Sequence, residues 1–400
     1  MKITQLPEDF KTALPILEEL ENANFEAYFV GGSVRDHILG LPIHDVDIAT
    51  SAYPEEIKQV FTHTIDTGIQ HGTVTVLYNK IPYELTTFRT ESGYQDFRRP
   101  DKVTFVRSLE DDLKRRDFTI NALAVDRMGN VIDKFNGIQD LDNKMIKAVG
   151  VASERFHEDA LRMMRAVRFQ SQLNFEIEEE TIKAIESNSE LLEKIAVERI
   201  REEFIKMMLS NHWQKGFKDM IDMELSEYCP EFKGNSSKLR SLLNFDELLF
   251  EDEESIWMGL GYVLELNSSG LNKLLRSWKV SNKIREASVN SFKMLKLIEE
   301  NQLDTYDFYK LDISNYERVK KFKNYLSIET NLDELSDEIN KISIKNSNDI
   351  NFTGQDIMTV LEIKPGPQIG NYMLNIEKAI ISGTIGNNHD EIRDFLLSIR

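Results

Sequence analysis

The sequence has little cysteine, few basic residues and no long apolar run, and each shortage excludes a class of protein. Cys229 is the only cysteine among 400 residues. This excludes a disulfide framework and a thiolate zinc site, and it makes a reducing cytoplasm the expected location. The apolar runs are too short to span a bilayer, and the first residues lack the apolar core of a signal peptide. No membrane partner is therefore expected.

Basic residues are outnumbered by acidic ones, 49 against 68, which gives a formal net charge of −19 at pH 7. A chain this acidic does not coat nucleic acid non-specifically, so an RNA-binding role requires its positive charge to be concentrated in one place. The sequence also lacks a Gly-x-x-x-x-Gly-Lys-Ser/Thr phosphate loop and histidines at metal-ligand spacing. Its length exceeds one ordinary core and predicts two to four domains.

A glycine pair followed by two spaced carboxylates is the first feature that carries chemistry. Residues 31–36 read GGSVRD, after a short apolar strand and before a brief helix that Gly40 ends. Asp45 and Asp47 open a second predicted strand, in which residues two apart point to the same face. Two such carboxylates need a cation, usually Mg²⁺, and a glycine turn at a helix N-terminus can seat phosphate. The stretch predicts a nucleoside triphosphate and metal site; in isolation, a helix cap beside two exposed acids is the alternative.

The densest basic segment reads RFHEDALRMMRAVRF, residues 155–169. Its pattern predicts a helix that begins near Asp159. Such a helix brings Asp159, Arg162 and Arg165 together and leaves Arg168 half a turn from Asp159. A solvated face with ion pairs is the usual fate of a charge run. Here every base is Arg, which suits planar bidentate contacts, and the chain is otherwise acidic. A ligand-binding role is therefore favoured.

The pattern of elements predicts an α+β protein. Strands and short helices alternate up to about residue 150, including a hairpin that turns at residues 79–80 and carries Glu84 on its second strand. The polar residues 89–101, with Gly93 and Pro100, are predicted to form a mobile loop. After residue 153 the signals are almost entirely helical.

Five motifs in order resemble the bacterial CCA-adding enzymes (tRNA nucleotidyltransferases), a class shared with bacterial poly(A) polymerases. They are Gly31-Gly32…Arg35-Asp36…Asp45-Val46-Asp47, residues 115–122 (RRDFTINA), residues 133–140 around Phe135-Asn136-Gly137, Glu158-Asp159…Arg162…Arg165, and Glu198-Arg199-Ile200…Glu203. Five motifs in order are far more specific than any one of them. The match covers about half of the chain, and residues 365–370 also resemble the tail of shorter, Gram-positive-type members.

The resemblance implies a polymerase-β-like nucleotidyltransferase head with a mixed sheet over residues 1–150. An all-helical neck (151–215), body (216–300) and tRNA-binding tail (301–400) would follow. It also implies the addition of C, C and A to a tRNA 3′ end from CTP and ATP, without a nucleic-acid template. The site residues that the resemblance implies are Asp45 and Asp47 for two Mg²⁺ ions, Asp159 and Arg162 at the base, and Arg116, Arg165 and Arg168 around the nucleotide. Chemistry adds Gly32, which lets the backbone approach the triphosphate, Arg35, which can bind its oxygens, and Glu84, on a neighbouring strand, as a third catalytic carboxylate.

The chemistry of Asp159 and Arg162 accounts for a choice of C and A, because a carboxylate only accepts hydrogen bonds and a guanidinium only donates them. Cytosine offers its N4 amino group and N3 in the matching order, and adenine offers its N6 amino group and N1. Uracil and guanine present a carbonyl oxygen to the carboxylate instead. Acceptor then faces acceptor, at a cost of about 1–3 kcal/mol.

Three alternatives share these motifs. A poly(A) polymerase has the same head but would be expected to carry a basic RNA-gripping extension, whereas the C-terminal third here is acidic. A partial enzyme that adds only C or only A retains the same residues. A catalytically inactive tRNA-binding protein has no use for paired carboxylates. The expected partners are tRNA, at its acceptor end and elbow, with ATP and CTP, bound by a monomer or a homodimer.

Overall fold

The computed structural model describes residues 1–95, 99–245, 250–300, 302–311, 313–325 and 342–399. The chain divides into two compact units, Met1–Arg240 and Ser241–Arg400. The strands of the described residues all belong to the first unit, and the second unit is helical. A sheet-containing head followed by helical regions confirms the predicted fold class, but the prediction of an all-helical neck is wrong at Glu176–Ile177, a two-residue strand that pairs with Met145–Ile146. The finer division at residues 150, 215 and 300 stays a prediction.

Eleven strands are present in the described residues. They are β1 (Ala27–Val30), β2 (Asp47–Thr50), β3 (Thr64–Gly68), β4 (Thr73–Tyr78), β5 (Ile81–Thr87), β6 (Arg89–Gln95), β7 (Arg99–Phe105), β8 (Leu123–Val125), β9 (Val131–Asp133), β10 (Met145–Ile146) and β11 (Glu176–Ile177). Seven form one sheet in the order β3-β4-β5-β2-β1-β8-β9. Strands β2 and β5 are parallel, and the other neighbours in this sheet are antiparallel. The sheet is therefore mixed, as predicted.

The helices follow the same chain order. They are α1 (Glu8–Asn22), α2 (Gly32–Ile38), α3 (Pro54–Val60), α4 (Leu109–Lys114), α5 (Gly137–Asp142), α6 (Ala152–Glu158), α7 (Leu161–Leu173), α8 (Glu179–Glu186), α9 (Val197–Met208), α10 (Trp213–Asp222), α11 (Ser236–Ser241), α12 (Glu253–Val263), α13 (Ser268–Ser277), α14 (Asn282–Glu299), α15 (Thr305–Lys310), α16 (Tyr316–Tyr325), α17 (Gly354–Leu361), α18 (Gln368–Ile381) and α19 (His389–Ser398). Short 3₁₀ turns lie at Ile69–His71, Thr119–Asn121, Ser189–Lys194, Leu225–Tyr228, Leu242–Asn244, Ile313–Asn315 and Ser347–Asp349.

The sheet is packed on both faces because its strands alternate buried side chains. On one face the ring of Phe29 stacks on Phe10 of α1, with 4.3 Å between the centroids. On the other face Val30 belongs to an apolar cluster with Leu109 and Leu113 of α4. The two covers leave the end of the sheet at Asp47 exposed, which is where a substrate can enter.

The predicted mobile loop at residues 89–101 is wrong within the described residues. Strands β6 and β7 pair antiparallel there, with Arg89 opposite Phe105 and Gln95 opposite Arg99; residues 96–98 lie outside the described part of the chain. The pairing is made by backbone N–H and C=O groups, which every residue except proline provides, so it does not require apolar side chains.

The second unit is built from amphipathic helices around tryptophan and isoleucine. The rings of Trp257 and Trp278 lie 5.3 Å apart in its first part. Near the C-terminus, buried residues of α17, α18 and α19 share one core, including Ile357, Ile376 and Ile392. In the described part of the chain, no helix is long and apolar enough to cross a bilayer.

Candidate active site

Three carboxylates meet where β2 begins. Asp47 is the first residue of β2 and lies in register with Glu84 on the parallel strand β5. Asp45 precedes the strand, so the prediction that both aspartates belong to it is wrong at this residue. The surrounding protein atoms partly desolvate the Asp47 carboxylate, which raises its pKa; the charge of Arg116 acts in the opposite direction, and the charges of Glu84 and Asp45 raise the pKa further. All three acids are therefore close enough to interact.

The donor set fits a Mg²⁺ ion that is shared with a substrate. Among the described residues, no group of three or more His, Cys, Asp or Glu side chains has the arrangement of a complete metal site. Mg²⁺ keeps several waters and is commonly held by one or two carboxylates together with substrate phosphates. Two aspartates at the opening of a cleft meet that requirement without a third protein ligand.

The glycine turn brings the backbone close to the carboxylates. Gly31 has a φ of 73°, in the left-handed region, and precedes α2. A Cβ on Gly31 would lie 2.9 Å from Nη1 of Arg116 and 3.7 Å from Oδ2 of Asp47. A Cβ on Gly32 would meet only Nη2 of Arg35, at 3.6 Å. Gly31 is therefore the residue that must be glycine for its backbone conformation and its close neighbours, whereas the predicted site residue is the adjacent Gly32.

Arg35 is buried and fixed by three partners. Its Nε donates to Oδ1 of Asp36 at 2.8 Å, and its Nη1 donates to Oδ1 of Asn121 at 2.6 Å. Its guanidinium carbon lies 5.0 Å from the centroid of the Phe169 ring. A guanidinium held in this way is preorganised to contact an anion at little cost in side-chain entropy.

Asp117 connects the second motif to helix α7. It is buried, and its carboxylate accepts from Nδ2 of Asn121 at 3.0 Å and from Nε of Arg165 at 2.7 Å. Burial alone would raise its pKa, but the charge of Arg165 and these hydrogen bonds hold the pKa of Asp117 well below its usual range. The sequence motif contains Asp117 without indicating this role, which depends on contacts 48 residues away.

Asp159 and Arg162 lie at the break between α6 and α7. The helix was predicted to begin near Asp159, but α7 begins at Leu161 and Asp159 is extended, with a φ of −141°. Oδ1 of Asp159 accepts from the backbone N–H of Leu161 at 3.0 Å, and Arg199 lies 3.3 Å from its Oδ2. An aspartate just before a helix commonly stabilises the helix start in this way.

Arg162 is buried at the same break. Its Nη1 donates to Oε2 of Glu158 at 2.7 Å and to the Arg155 carbonyl at 3.2 Å, and its Nη2 donates to the Arg115 carbonyl at 2.9 Å. Within the described part of the chain these bonds use three of the five N–H donors of a guanidinium. The position of Arg162 is therefore fixed while donor capacity remains.

Phe169 is surrounded by guanidinium groups. The guanidinium carbons of Arg168, Arg35 and Arg165 lie 4.0, 5.0 and 5.3 Å from its ring centroid. Nε of Arg168 also lies 2.5 Å from Oε2 of the buried Glu203. The sequence does not single out Phe169, because its contacts with the three guanidinium groups arise only where α2 and α7 come together in the fold.

Arg116 is held on the other side of the glycine turn. Its Nη2 donates to the buried carboxylate of Asp112 at 3.4 Å, and its Nη1 donates to the Asn121 carbonyl at 3.3 Å. Asp112 also accepts from Arg115 at 2.8 Å. Sequence reasoning did not identify Asp112, since it precedes the RRD motif and its partners are evident only in the fold.

These residues line one cleft of about 490 Å³. Its walls contain eight of the ten predicted site residues, namely Gly32, Arg35, Asp47, Arg116, Asp159, Arg162, Arg165 and Arg168. Asp45 and Glu84 stand beside it through their interaction with Asp47. Eight arginines and three aspartates contribute to the lining. The cleft thus has the concentrated positive charge that an acidic chain needs to bind a polyanion.

Comparison with known proteins identifies the family to which this chain belongs. Residues 27–147 match the poly A polymerase head domain, residues 174–234 match the probable RNA and SrmB-binding site of polymerase A, and residues 248–396 match a putative tRNA nucleotidyltransferase domain 2. A CCA-adding enzyme of Ligilactobacillus salivarius is 49% identical over 98% of this chain and 96% of its own length. The chain belongs to the CCA-adding enzyme family. A Lactobacillus johnsonii member is also 49% identical, over 99% of both chains.

Solved structures of the family agree with the fold. The crystal structure of the Bacillus stearothermophilus CCA-adding enzyme in complex with CTP has a TM-score of 0.89, 34% identity and 98% coverage of each chain. The Thermotoga maritima enzyme complexed with tRNA_CCA has a TM-score of 0.63 at 19% identity, over 99% of this chain and 96% of its own, which shows a shared fold. The predicted family is therefore confirmed, and with it the class of enzyme, a nucleotidyltransferase.

Proposed function

We propose that this chain adds C, C and A to the 3′ end of tRNA from CTP and ATP, without a nucleic-acid template and with release of pyrophosphate. The observation that carries the proposal is an arginine-lined cleft whose walls include Asp47, Asp159 and Arg162. The relatives, which are named CCA-adding enzymes, support the same reaction. Because the proposed substrate is tRNA, the cytoplasm is the proposed location.

Asp45 and Asp47 would hold Mg²⁺, with Glu84 as a nearby third carboxylate. When bound, Mg²⁺ would supply Lewis-acid activation of the tRNA 3′-hydroxyl and would neutralise charge on the leaving pyrophosphate. The protein itself brings the donors together: β2 and β5 fix Asp47 opposite Glu84. The charge of Arg116 favours the ionised form of Asp47, which is the form that binds a cation.

The arginines would bind and orient the nucleotide. Arg35 and Arg116, on either side of the Gly31–Gly32 turn, are placed to contact the triphosphate. Arg165 and Arg168 are proposed to hold the remainder of the nucleotide from helix α7. Contacts from preorganised guanidinium groups to phosphate oxygens are short and charge-assisted. They hold the α-phosphate in a position where in-line attack is possible.

Asp159 and Arg162 would read the base. The carboxylate accepts from the amino group of C or A, and the guanidinium donates to the adjacent ring nitrogen. The cleft excludes U and G because their carbonyl oxygens face Asp159. Arg199, 3.3 Å from Asp159, helps to keep the carboxylate in place.

The helical part of the chain is proposed to bind the tRNA. We assign residues 1–150 to the head, 151–215 to the neck, 216–300 to the body and 301–400 to a tail at the tRNA elbow. The Pro-rich turn before Gln368 opens helix α18, and this helix is the proposed elbow contact. A monomer and a homodimer are both compatible with a cleft made within one chain.

The test is extension of a tRNA transcript that ends before its CCA, with labelled CTP or ATP and Mg²⁺. The proposal predicts a product that is three nucleotides longer. A long A ladder would instead identify a poly(A) polymerase, and arrest after only C or only A would identify a partial enzyme. No extension at any Mg²⁺ concentration would identify a tRNA-binding protein without activity.

A further inference from the structure

The face of the sheet that carries the carboxylates continues beyond the cleft. Glu84 lies in register with Asp47 on one side and with Thr75 of β4 on the other, and Thr75 is in register with Ile65 of β3. Residues in register on neighbouring strands point to the same face. The row Asp47, Glu84, Thr75, Ile65 therefore runs across four strands, over about 14 Å at ~4.8 Å per strand.

The outer part of this face is apolar and exposed. Ile65 is 50% exposed and Leu77 is 37% exposed, and Leu77 is in register with the exposed Pro82. The buried hydroxyl of Thr75 lies 2.9 Å from that of Thr67. We call the three exposed side chains, Ile65, Leu77 and Pro82, the outer strip; the buried Thr75 lies in register with Ile65 beneath them. Neighbouring exposed apolar groups that continue from an active site are a candidate ligand-binding surface.

The in-line geometry of nucleotidyl transfer indicates which part of the substrates lies on this surface. The attacking oxygen and the leaving pyrophosphate lie roughly in line on opposite sides of the phosphorus. Gly31 and Arg35 follow β1, and Arg116 precedes β8. Strand β1 borders β2 on the side away from β5. With the triphosphate on the β1 side, the attacking hydroxyl arrives from the β5 side, across Glu84 and the outer strip.

We propose that the outer strip seats the last nucleotides of the RNA that is being extended, through their ribose and base faces. This inference rests on the proposed function. The end of the RNA changes as C, C and A are added, so its seat must accept different bases. Exposed aliphatic groups do so, since they contact any base face or ribose without reading a donor and acceptor pattern.

The experiment compares Ile65→Ser/Leu77→Ser with wild type and with Ile81→Ser. Ile81 is 43% exposed and adjoins Pro82 on β5, so it points to the opposite face and controls for loss of an exposed apolar side chain. The measurements are KM for a tRNA that ends before CCA, KM for CTP, and kcat. The double variant should raise KM for the tRNA about 5- to 10-fold. KM for CTP and kcat should stay within about twofold of wild type, and Ile81→Ser should match wild type in all three.

An unchanged KM for the tRNA in the double variant would overturn the inference, and so would an equal rise in Ile81→Ser. If the double variant does not fold, Leu77→Ser alone carries the test, with an expected rise of about threefold. Wild-type protein that extends no tRNA would contradict the proposed function instead, so the two failures are distinguishable.

Discussion

Replacing Asp47 with asparagine should lower kcat for nucleotide addition by on the order of 10³-fold or more, because losing a metal-held charge removes several kcal/mol of transition-state stabilisation. The amide keeps the shape of the side chain but cannot share a cation with Asp45. CTP binding should change little, since the arginines of the cleft remain. Single-turnover extension of a tRNA that ends before CCA measures the chemical step, and equilibrium binding measures CTP affinity.

Asp66→Asn is the matched control, because Asp66 is an exposed aspartate on β3 that pairs with Lys58 at 3.0 Å. It should extend tRNA at the wild-type rate. Asp47→Asn that keeps its rate within about tenfold of wild type would contradict a metal-binding role, because a tenfold change corresponds to only about 1.4 kcal/mol.

Replacing Asp117 with asparagine should destabilise the first unit by about 3 kcal/mol at pH 7, since it removes the nearer of the two buried carboxylates that pair with Arg165 and leaves only Glu203, at 3.9 Å. It should also loosen Asn121, which links Asp117 to Arg35 through hydrogen bonds of 3.0 and 2.6 Å. Urea unfolding, monitored by a spectroscopic signal that arises only from the first unit, measures the free energy of unfolding of that unit.

The pH dependence of this effect has a definite sign. The pKa of Asp117 is lowered in the folded state, so its stabilisation is fully present above its unfolded pKa of about 3.9 and is lost as pH falls through the folded pKa. The difference between wild type and Asp117→Asn should therefore shrink below about pH 4. Asp222→Asn, at an exposed ion pair with Lys218, should cost no more than about 1 kcal/mol. An equal cost at both positions would show that Asp117 is not a buried anchor.

Part of the site could be predicted because some of its residues lie close to one another in the sequence. The two aspartates and the run of arginines have local spacings that elementary geometry interprets. The contacts that hold these side chains in place cannot be predicted from local spacing, because Asn121 is 86 residues from Arg35 and Asp117 is 48 residues from Arg165. The stacking of guanidinium groups on Phe169 likewise requires the tertiary fold.

Two of the errors of secondary structure have physical causes. The polar composition of residues 89–101 predicted a loop, but the backbone pairing of β6 with β7 does not depend on apolar side chains. The pattern in the neck predicted a helix that begins near Asp159, whereas α7 begins at Leu161. A signal against it was present, because aspartate is favoured just before a helix, where its side chain accepts a backbone N–H.

The central claim is that protein side chains, rather than a nucleic-acid template, select C and A. The most direct test is the nucleotide preference of the Asp159→Ala variant. The measurement is the ratio of kcat/KM for CTP to that for UTP, with tRNA affinity measured in parallel. The ratio should fall by about 10- to 100-fold, from the 1–3 kcal/mol cost of facing two acceptors. Affinity for tRNA should be unchanged. Asp159→Asn, whose amide also donates, should raise UTP use further. An unchanged preference for CTP over UTP, with an equal loss of rate and tRNA binding, would contradict the account.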